Sequence, residues 1–313
     1  MTKFPKFDSK PIDVPKNHYT PKDLIYALRE GKTSEIIGKI DRHGLYFEKE
    51  KDGKRVPFYL TTVPGGIMTD VQIDTVVDLA SEIYDGDEEE IEAELRREYG
   101  GRKLESKTMF VHRVDTGEPV GMSYYEVKTL EDDKFKDLNG KKILRLRSIG
   151  ARKPFRDGAL GVLNGLAFME DYDSSVVVTG IPRVVELITT GFPNFYNPVF
   201  SERLDQFKGR LAKKIAKNYG LDFGEGMVVK GKGDIFHLRQ RARDDPCGDS
   251  VINTAIEDYL GEKDRFMFLG GNTLSNSRFA AAQLQFYFDR KGFEKFVNGN
   301  LPQNIKEYFS KPM

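Results

Sequence analysis

Apolar positions along this chain recur in two rhythms, and the changes between them mark out its elements. Thr20 and Pro21 form an N-cap and first-turn pair, after which Leu24, Ile25 and Leu28 keep helical spacing until Gly31. That predicts a short helix. The stretch EIIGKIDRHGLYFEKEKDGKRVPFYLTTV carries two β-rich runs about Lys51-Asp52-Gly53-Lys54, and Asp-Gly favours a hairpin turn. From Thr69 the rhythm becomes helical. Val71, Ile73, Val76, Val77, Leu79, Ala80 and Ile83 recur three and four residues apart, which predicts a helix over 69–84 with one buried face. Residues 85–98 hold eight acidic and two basic side chains with Ile91 and Leu95 one turn apart, the pattern of a solvated helix rather than a metal site.

Two further runs, TMFVHRV and PVGMSYYEVKTL, flank a turn at Asp115-Thr116-Gly117 and predict a central hairpin. ILRLRSIG reads as the next strand. It leads through RKPF into RDGALG and then into a helical run with Val162, Leu163, Leu166 and Ala167. SSVVVT reads as a strand, followed by a helix from Pro182 to about Ile188 and by Thr190-Gly191-Phe192. In the last third, FSERLDQFKGRLAKKIAKNYG sets Leu204, Phe207, Leu211 and Ile215 on one helical face. Two short strands are expected about Lys230-Gly231-Lys232-Gly233. The apolar runs VINTAIEDYL, FMFLG and FAAAQLQFYFDRKGFEKF end in helices that cap the sheet or pair with a second copy.

Composition narrows the classes. With 313 residues, 39% apolar and 12% aromatic, the chain can bury one large core with additions, or two domains. Lys+Arg and Asp+Glu both total 49, so any pull toward an anionic partner must come from local segregation. Such segregation exists: Arg203 to Arg243 carries eleven basic and four acidic residues, a patch suited to a nucleic-acid backbone or to the 3′-phosphate end of coenzyme A. One cysteine, Cys247, leaves no intramolecular disulfide and suits a reducing, cytoplasmic setting; its acidic neighbours make it a poor nucleophile. Residues 1–19, with three prolines, read as an extended surface arm without the apolar core of an export signal, and no apolar run approaches a bilayer span. The four histidines, His18, His43, His112 and His237, are isolated, with no metal-ligand spacing.

The order strand, glycine loop, helix at 143–167 is where chemistry concentrates. Small residues let a backbone approach a polyphosphate, and the N–H groups at a helix start favour anions. Arg152, Lys153 and Arg156 add positive charge. Here RDGALG resembles the Arg/Gln-x-x-Gly-x-Gly/Ala pyrophosphate loop of GCN5-related N-acetyltransferases, the GNAT superfamily, and TTGF resembles the Gly-Phe that ends their following helix. The resemblance covers roughly residues 58–200. It implies an acyl-CoA, such as acetyl-CoA, as co-substrate in a cleft opened between two parallel strands. Ile149 and Ala151 would face the pantetheine arm, and Arg156, Asp157, Gly158, Ala159, Leu160 and Gly161 would surround the pyrophosphate.

The departures from the family matter as much. Ala159 stands where a middle glycine is common, Gly180 where an Asn is frequent, and Leu187 where a Tyr commonly protonates the leaving thiolate. The strand ILRLRSI also lacks the frequent catalytic glutamate. Glu126, Ser148 and Tyr196 are the candidate substitutes.

The sequence thus predicts an α/β fold with a GNAT-like, mixed, mostly antiparallel sheet flanked by helices, an N-terminal extension and an α+β C-terminal addition. Its expected regions are 1–57 (arm, helix and hairpin), 58–200 (acyl-CoA-binding core) and 201–313 (basic helix and α+β region). The expected function is transfer of an acyl group from a CoA thioester to an amine, on a small molecule or a macromolecule. Two alternatives stand beside it: a phage-type, nucleobase-modifying enzyme on the same fold, motivated by 203–243, and a binding protein that kept the fold without the chemistry.

Overall fold

The computed structural model describes residues 10–30, 32–51, 53–64, 68–84, 106–130, 139–155, 172–191, 195–201, 204–230, 249–261, 264–271 and 274–289. Single positions at 89, 92, 93, 96, 162, 163, 166, 247, 291 and 293 are described as well.

The first helix, α1 (Pro21–Glu30), starts as the sequence predicts. The Thr20 N–H and Oγ1 both donate to Asp23 Oδ2, at 2.8 and 2.6 Å, closing the first turn. A second helix, α2 (Thr33–His43), replaces the start of what reads in sequence as a β-rich run. Ile36, Ile37 and Ile40 are buried one turn apart, so a short apolar run that fits either period is settled by packing. The helix ends at Gly44 (φ +70°), where a Cβ would lie 2.2 Å from Tyr59 Oη; glycine is required there by conformation and by space.

Strands β1 (Leu45–Lys51) and β2 (Lys54–Pro64) form the expected hairpin. Helix α3 (Asp70–Tyr84) opens with a reciprocal cap: Thr69 N–H donates to Gln72 Oε1 at 2.9 Å, and Gln72 N–H to Thr69 Oγ1 at 3.3 Å. Then come β3 (Ser106–Arg113), β4 (Pro119–Thr129), β5 (Lys142–Ala151), β6 (Ser174–Thr179) and helix α4 (Pro182–Gly191). The last third supplies helix α5 (Gln206–Asn218), strands β7 (Asp222–Phe223) and β8 (Val228–Lys230), helix α6 (Ser250–Tyr259), strand β9 (Arg265–Gly271) and helix α7 (Leu274–Phe288). Most of the acidic stretch 85–98 lies outside the described residues.

The nine described strands join one mixed sheet in the order β1-β2-β3-β4-β5-β6-β9-β8-β7. β5 and β6 run parallel, and the other ladders between described strands are antiparallel. The sheet crosses the region boundaries drawn from sequence. Residue 57 lies inside β2, and β9, from the last third, pairs with β6 from Ser174↔Gly271 to Thr179↔Phe266. The sheet carries helices on both faces. On one, α3 buries Ile73, Val76, Val77 and Leu79 against Phe110, Met122 and Tyr124, while α5 buries Leu211, Ala212, Ile215 and Ala216 against Ile143, Val176, Met267 and Leu269. On the other, α1, α2 and α7 cover β1–β5, and α4 and α6 cover β6 and β9.

Leu204 and Phe207 depart from the sequence reading. Asp205 Oδ1 accepts from the N–H groups of Phe207 and Lys208, both at 3.0 Å, so α5 starts after Leu204. Its buried stripe begins at Leu211, and Leu204 and Phe207 stand in solvent. Among the described residues no helix is long and apolar enough to cross a membrane, and no group of three or more His, Cys, Asp or Glu could hold a metal ion.

Candidate functional site

The site is built around one irregularity in the middle of the sheet. β4 and β5 pair regularly from Thr129↔Lys142 to Tyr125↔Leu146, and then the register slips so that Tyr124 faces Ser148. Arg147 is the extra residue of this β-bulge, a device that bends a strand and re-aims its side chains. On its other edge β5 pairs with β6 from Ile143↔Ser174 to Leu146↔Val177, and the ladder stops there. The two parallel strands therefore part at the residue that bulges, leaving Arg147 to Ala151 of β5 unpaired with β6.

The positions expected to face a pantetheine arm lie along this parted segment. Ile149 pairs with Ser123 and Ala151 with Gly121, both toward β4. Ala151 is buried, and Ile149 is half-buried against the core that also holds Phe155, Val162, Leu163 and Leu166. The loop Arg156 to Gly161 lies outside the described residues, but the residues on either side of it, Phe155 and Val162, belong to one apolar cluster. Arg152 does not supply the loop with free charge: its guanidinium pairs with Glu118 and, at 2.8 Å, with Glu82 of α3. Lys153 is exposed.

Between α3 and α5 the sheet face turns polar, in a cluster of which the sequence singles out Glu126 and Ser148 but not their arginine and tyrosine neighbours. Glu126 is 3% exposed, with Arg145 of β5 at 3.6 Å and Arg147 at 3.9 Å. The Arg145 guanidinium lies 4.7 Å from the ring centre of Tyr219, which caps α5 at its C-terminal end. Lys128 reaches the same ring at 5.0 Å. Beside them the Tyr124 phenol is pushed up to about 12, first by burial and then by the charge of Glu126; a hydrogen bond with Ser106 and the charge of Arg145 oppose this. The phenol therefore keeps its proton at neutral pH and can act as a hydrogen-bond donor. Ser148 lies directly across the ladder from Tyr124; its side chain is outside the described part of the structure.

Glu126 and Ser148 thus come to one place, and Tyr196 does not join them. Glu126, Arg145, Val176, Leu269 and Tyr196 lie in register on successive strands, so Tyr196 is four strand spacings, about 19 Å, from Glu126. The Tyr196 hydroxyl accepts from the Asp205 N–H at 3.1 Å and holds the start of α5. At Gly180, where the resembled family often has Asn, a Cβ would come 3.3 Å from Arg265 Cδ and Leu260 Cδ1. The pairing of β9 with β6 therefore brings side chains into the space that an asparagine would need.

No protein-family model matches the chain, and no curated protein matches its sequence. Among solved structures, the chain is similar to a histone acetyltransferase HPA2-related acetyltransferase from Corynebacterium glutamicum, at 15% identity and a TM-score of 0.32 over 44% of this chain and 86% of that one. It is also similar to the NatC complex bound to Gag peptide and CoA, at 13% identity and a TM-score of 0.35 over 68% of this chain and 99% of that one. An acetyltransferase of GNAT family from Streptococcus pneumoniae matches at 9% identity and a TM-score of 0.28 over 68% and 99% of the two chains. The α/β fold rests on the strand order and helix layers above.

Proposed function

We propose that the chain is a divergent GNAT-type N-acyltransferase that moves an acyl group from an acyl-CoA thioester to an amine, with the thioester lying where β5 and β6 part. The parting of this parallel pair beyond Leu146↔Val177, at the Arg147 bulge, is the observation that carries the reading. A wedge between two strands exposes peptide groups along an edge, which suits the amide-rich pantetheine arm. In this reading Ile149 and Ala151 flank the arm, and Arg156, Asp157, Gly158, Ala159, Leu160 and Gly161 take the pyrophosphate at the start of the following helix.

The amine attacks the thioester carbonyl carbon, a tetrahedral oxyanion forms, and the C–S bond breaks as the thiolate departs. The attacking ammonium, with an ordinary pKa near 10, must first lose a proton, while the thiolate leaves readily. Held with its proton, Tyr124 is a group near the bulge that can hydrogen-bond the developing oxyanion. Glu126 and Ser148 are the candidates for handling the amine proton, and Tyr196 is left to anchor α5. Much of the rate in such a site comes from holding two reactants in contact, so a sparse acid–base set is compatible with turnover. A cytoplasmic setting, where acyl-CoA is available, fits the single buried thiol.

The test is release of free CoA thiol from acetyl-CoA in the presence of a panel of primary amines, with Tyr124→Phe and Arg156→Ala alongside. Amine-dependent release that falls at least tenfold in Arg156→Ala supports the proposal. Absence of amine-dependent release across the panel, in protein that binds acetyl-CoA, would leave the binding-protein alternative in its place.

A further inference from the structure

The exposed face of α5 is not used in the acyl-transfer reading, and it is strongly basic. The helix carries Lys208, Arg210, Lys213, Lys214 and Lys217 and no acidic residue. Arg210, Lys213 and Lys217 are exposed and make no ion pair among the described residues. Some cations elsewhere are matched, as in Lys107 with Asp41, Arg113 with Asp115, Lys141 with Asp173 and Lys230 with Asp264; what sets α5 apart is three exposed cations aligned on one helix that carries no acidic residue. At 1.5 Å rise and 100° per residue, the three unmatched cations fall on one stripe about 10 Å long. At its N-terminal end stand Leu204, 81% exposed, and Phe207, 52% exposed.

We propose that this stripe binds a single-stranded nucleic acid, with the phosphates along Arg210, Lys213 and Lys217 and a base stacked on Phe207. Each of the three cations can take one backbone phosphate of an extended strand, which gives about three phosphate contacts. An exposed aromatic beside such a stripe offers a stacking platform, which an unpaired base can use and a paired one cannot. An anionic membrane is the weaker fit. Helices that lie on bilayers insert a continuous apolar face, whereas the apolar face of α5, Leu211, Ala212, Ile215 and Ala216, is already spent in the core. This inference is independent of the acyl-transfer reading and needs neither acyl-CoA nor turnover.

The experiment is fluorescence anisotropy with the full chain and a labelled 20-mer of deoxythymidine between 50 and 200 mM salt, repeated with a 20-base-pair duplex and with vesicles containing anionic lipid. Three phosphate contacts on a single strand predict a slope of about −2 in log K against log salt, or roughly a 15-fold loss over that range. Arg210→Glu, Lys213→Glu and Lys217→Glu combined should abolish the salt-dependent component. Phe207→Ala should weaken the single strand on the order of tenfold and the duplex much less. All four side chains are exposed, and a thermal melt of each variant checks that it is folded. Salt-independent binding, unchanged affinity in the folded triple variant, or binding to vesicles without binding to the oligonucleotide would each overturn the proposal.

Discussion

Replacing Glu126 by Gln takes one negative charge from the middle of the sheet with little change in shape. Arg145, 6% exposed, would keep the Tyr219 ring at 4.7 Å and lose the carboxylate at 3.6 Å. Removing one partner of a buried pair costs about 3–5 kcal/mol, because the other charge stays buried without its counterion. Unfolding entropy near 2.1 cal/mol/K per residue gives about 0.7 kcal/mol/K for a chain of this length, so the melting temperature should fall by about 5–8 °C. Arg145→Met alone should cost a comparable amount. The double variant should cost clearly less than the sum, with a coupling of about 1–3 kcal/mol, because an apolar side chain replaces Arg145 and its charge is no longer left without the carboxylate. Calorimetry on the parent and the three variants completes the cycle. A melting temperature for Glu126→Gln within 1 °C of the parent, or strict additivity in the double variant, would refute the pairing on which the site's electrostatics are built.

Two further outcomes follow from the same region. Gly180→Asn, which restores a residue common in the resembled family, should destabilise by about 1–3 kcal/mol, since its Cβ meets Arg265 and Leu260 at 3.3 Å; equal or higher stability in denaturant titration would contradict this. Tyr124 holds its proton more tightly when folded than when unfolded, so the stability it contributes is fully present below pH 10 and is lost as pH rises from 10 through about 12. Tyr124→Phe should flatten that alkaline loss, and a stability profile between pH 9 and 11.5 that matches the parent would count against the buried phenol.

Much of the fold was legible because its elements are local. The hairpins at Lys51-Lys54 and Asp115-Gly117 and the helix from Thr69 each carry their own turn or cap chemistry within a few residues. The run EIIGKI hid α2, since a short β-branched stretch satisfies both periods and only burial of Ile36, Ile37 and Ile40 under the sheet decides between them. The joining of β9 to β6 left no local signal, as a pairing across some 90 residues is set by tertiary packing rather than by spacing. The site was legible in outline and not in substance. Alternation in ILRLR makes Arg145 and Arg147 look like solvent-facing positions, but α3 and α5 cover that face, and the register across β4 and β5 supplies Glu126 as their partner. Tyr124 and Tyr219 entered the same way, through neighbours that no linear motif brings together.

The central claim is that acyl-CoA enters between β5 and β6, and the most direct test is calorimetric titration of the parent protein with acetyl-CoA, with Arg156→Ala and Ile149→Asp as variants. Saturable one-to-one binding that weakens at least tenfold in each folded variant is the result this account predicts. No detectable binding by the parent, or binding unaffected by either substitution, would contradict it.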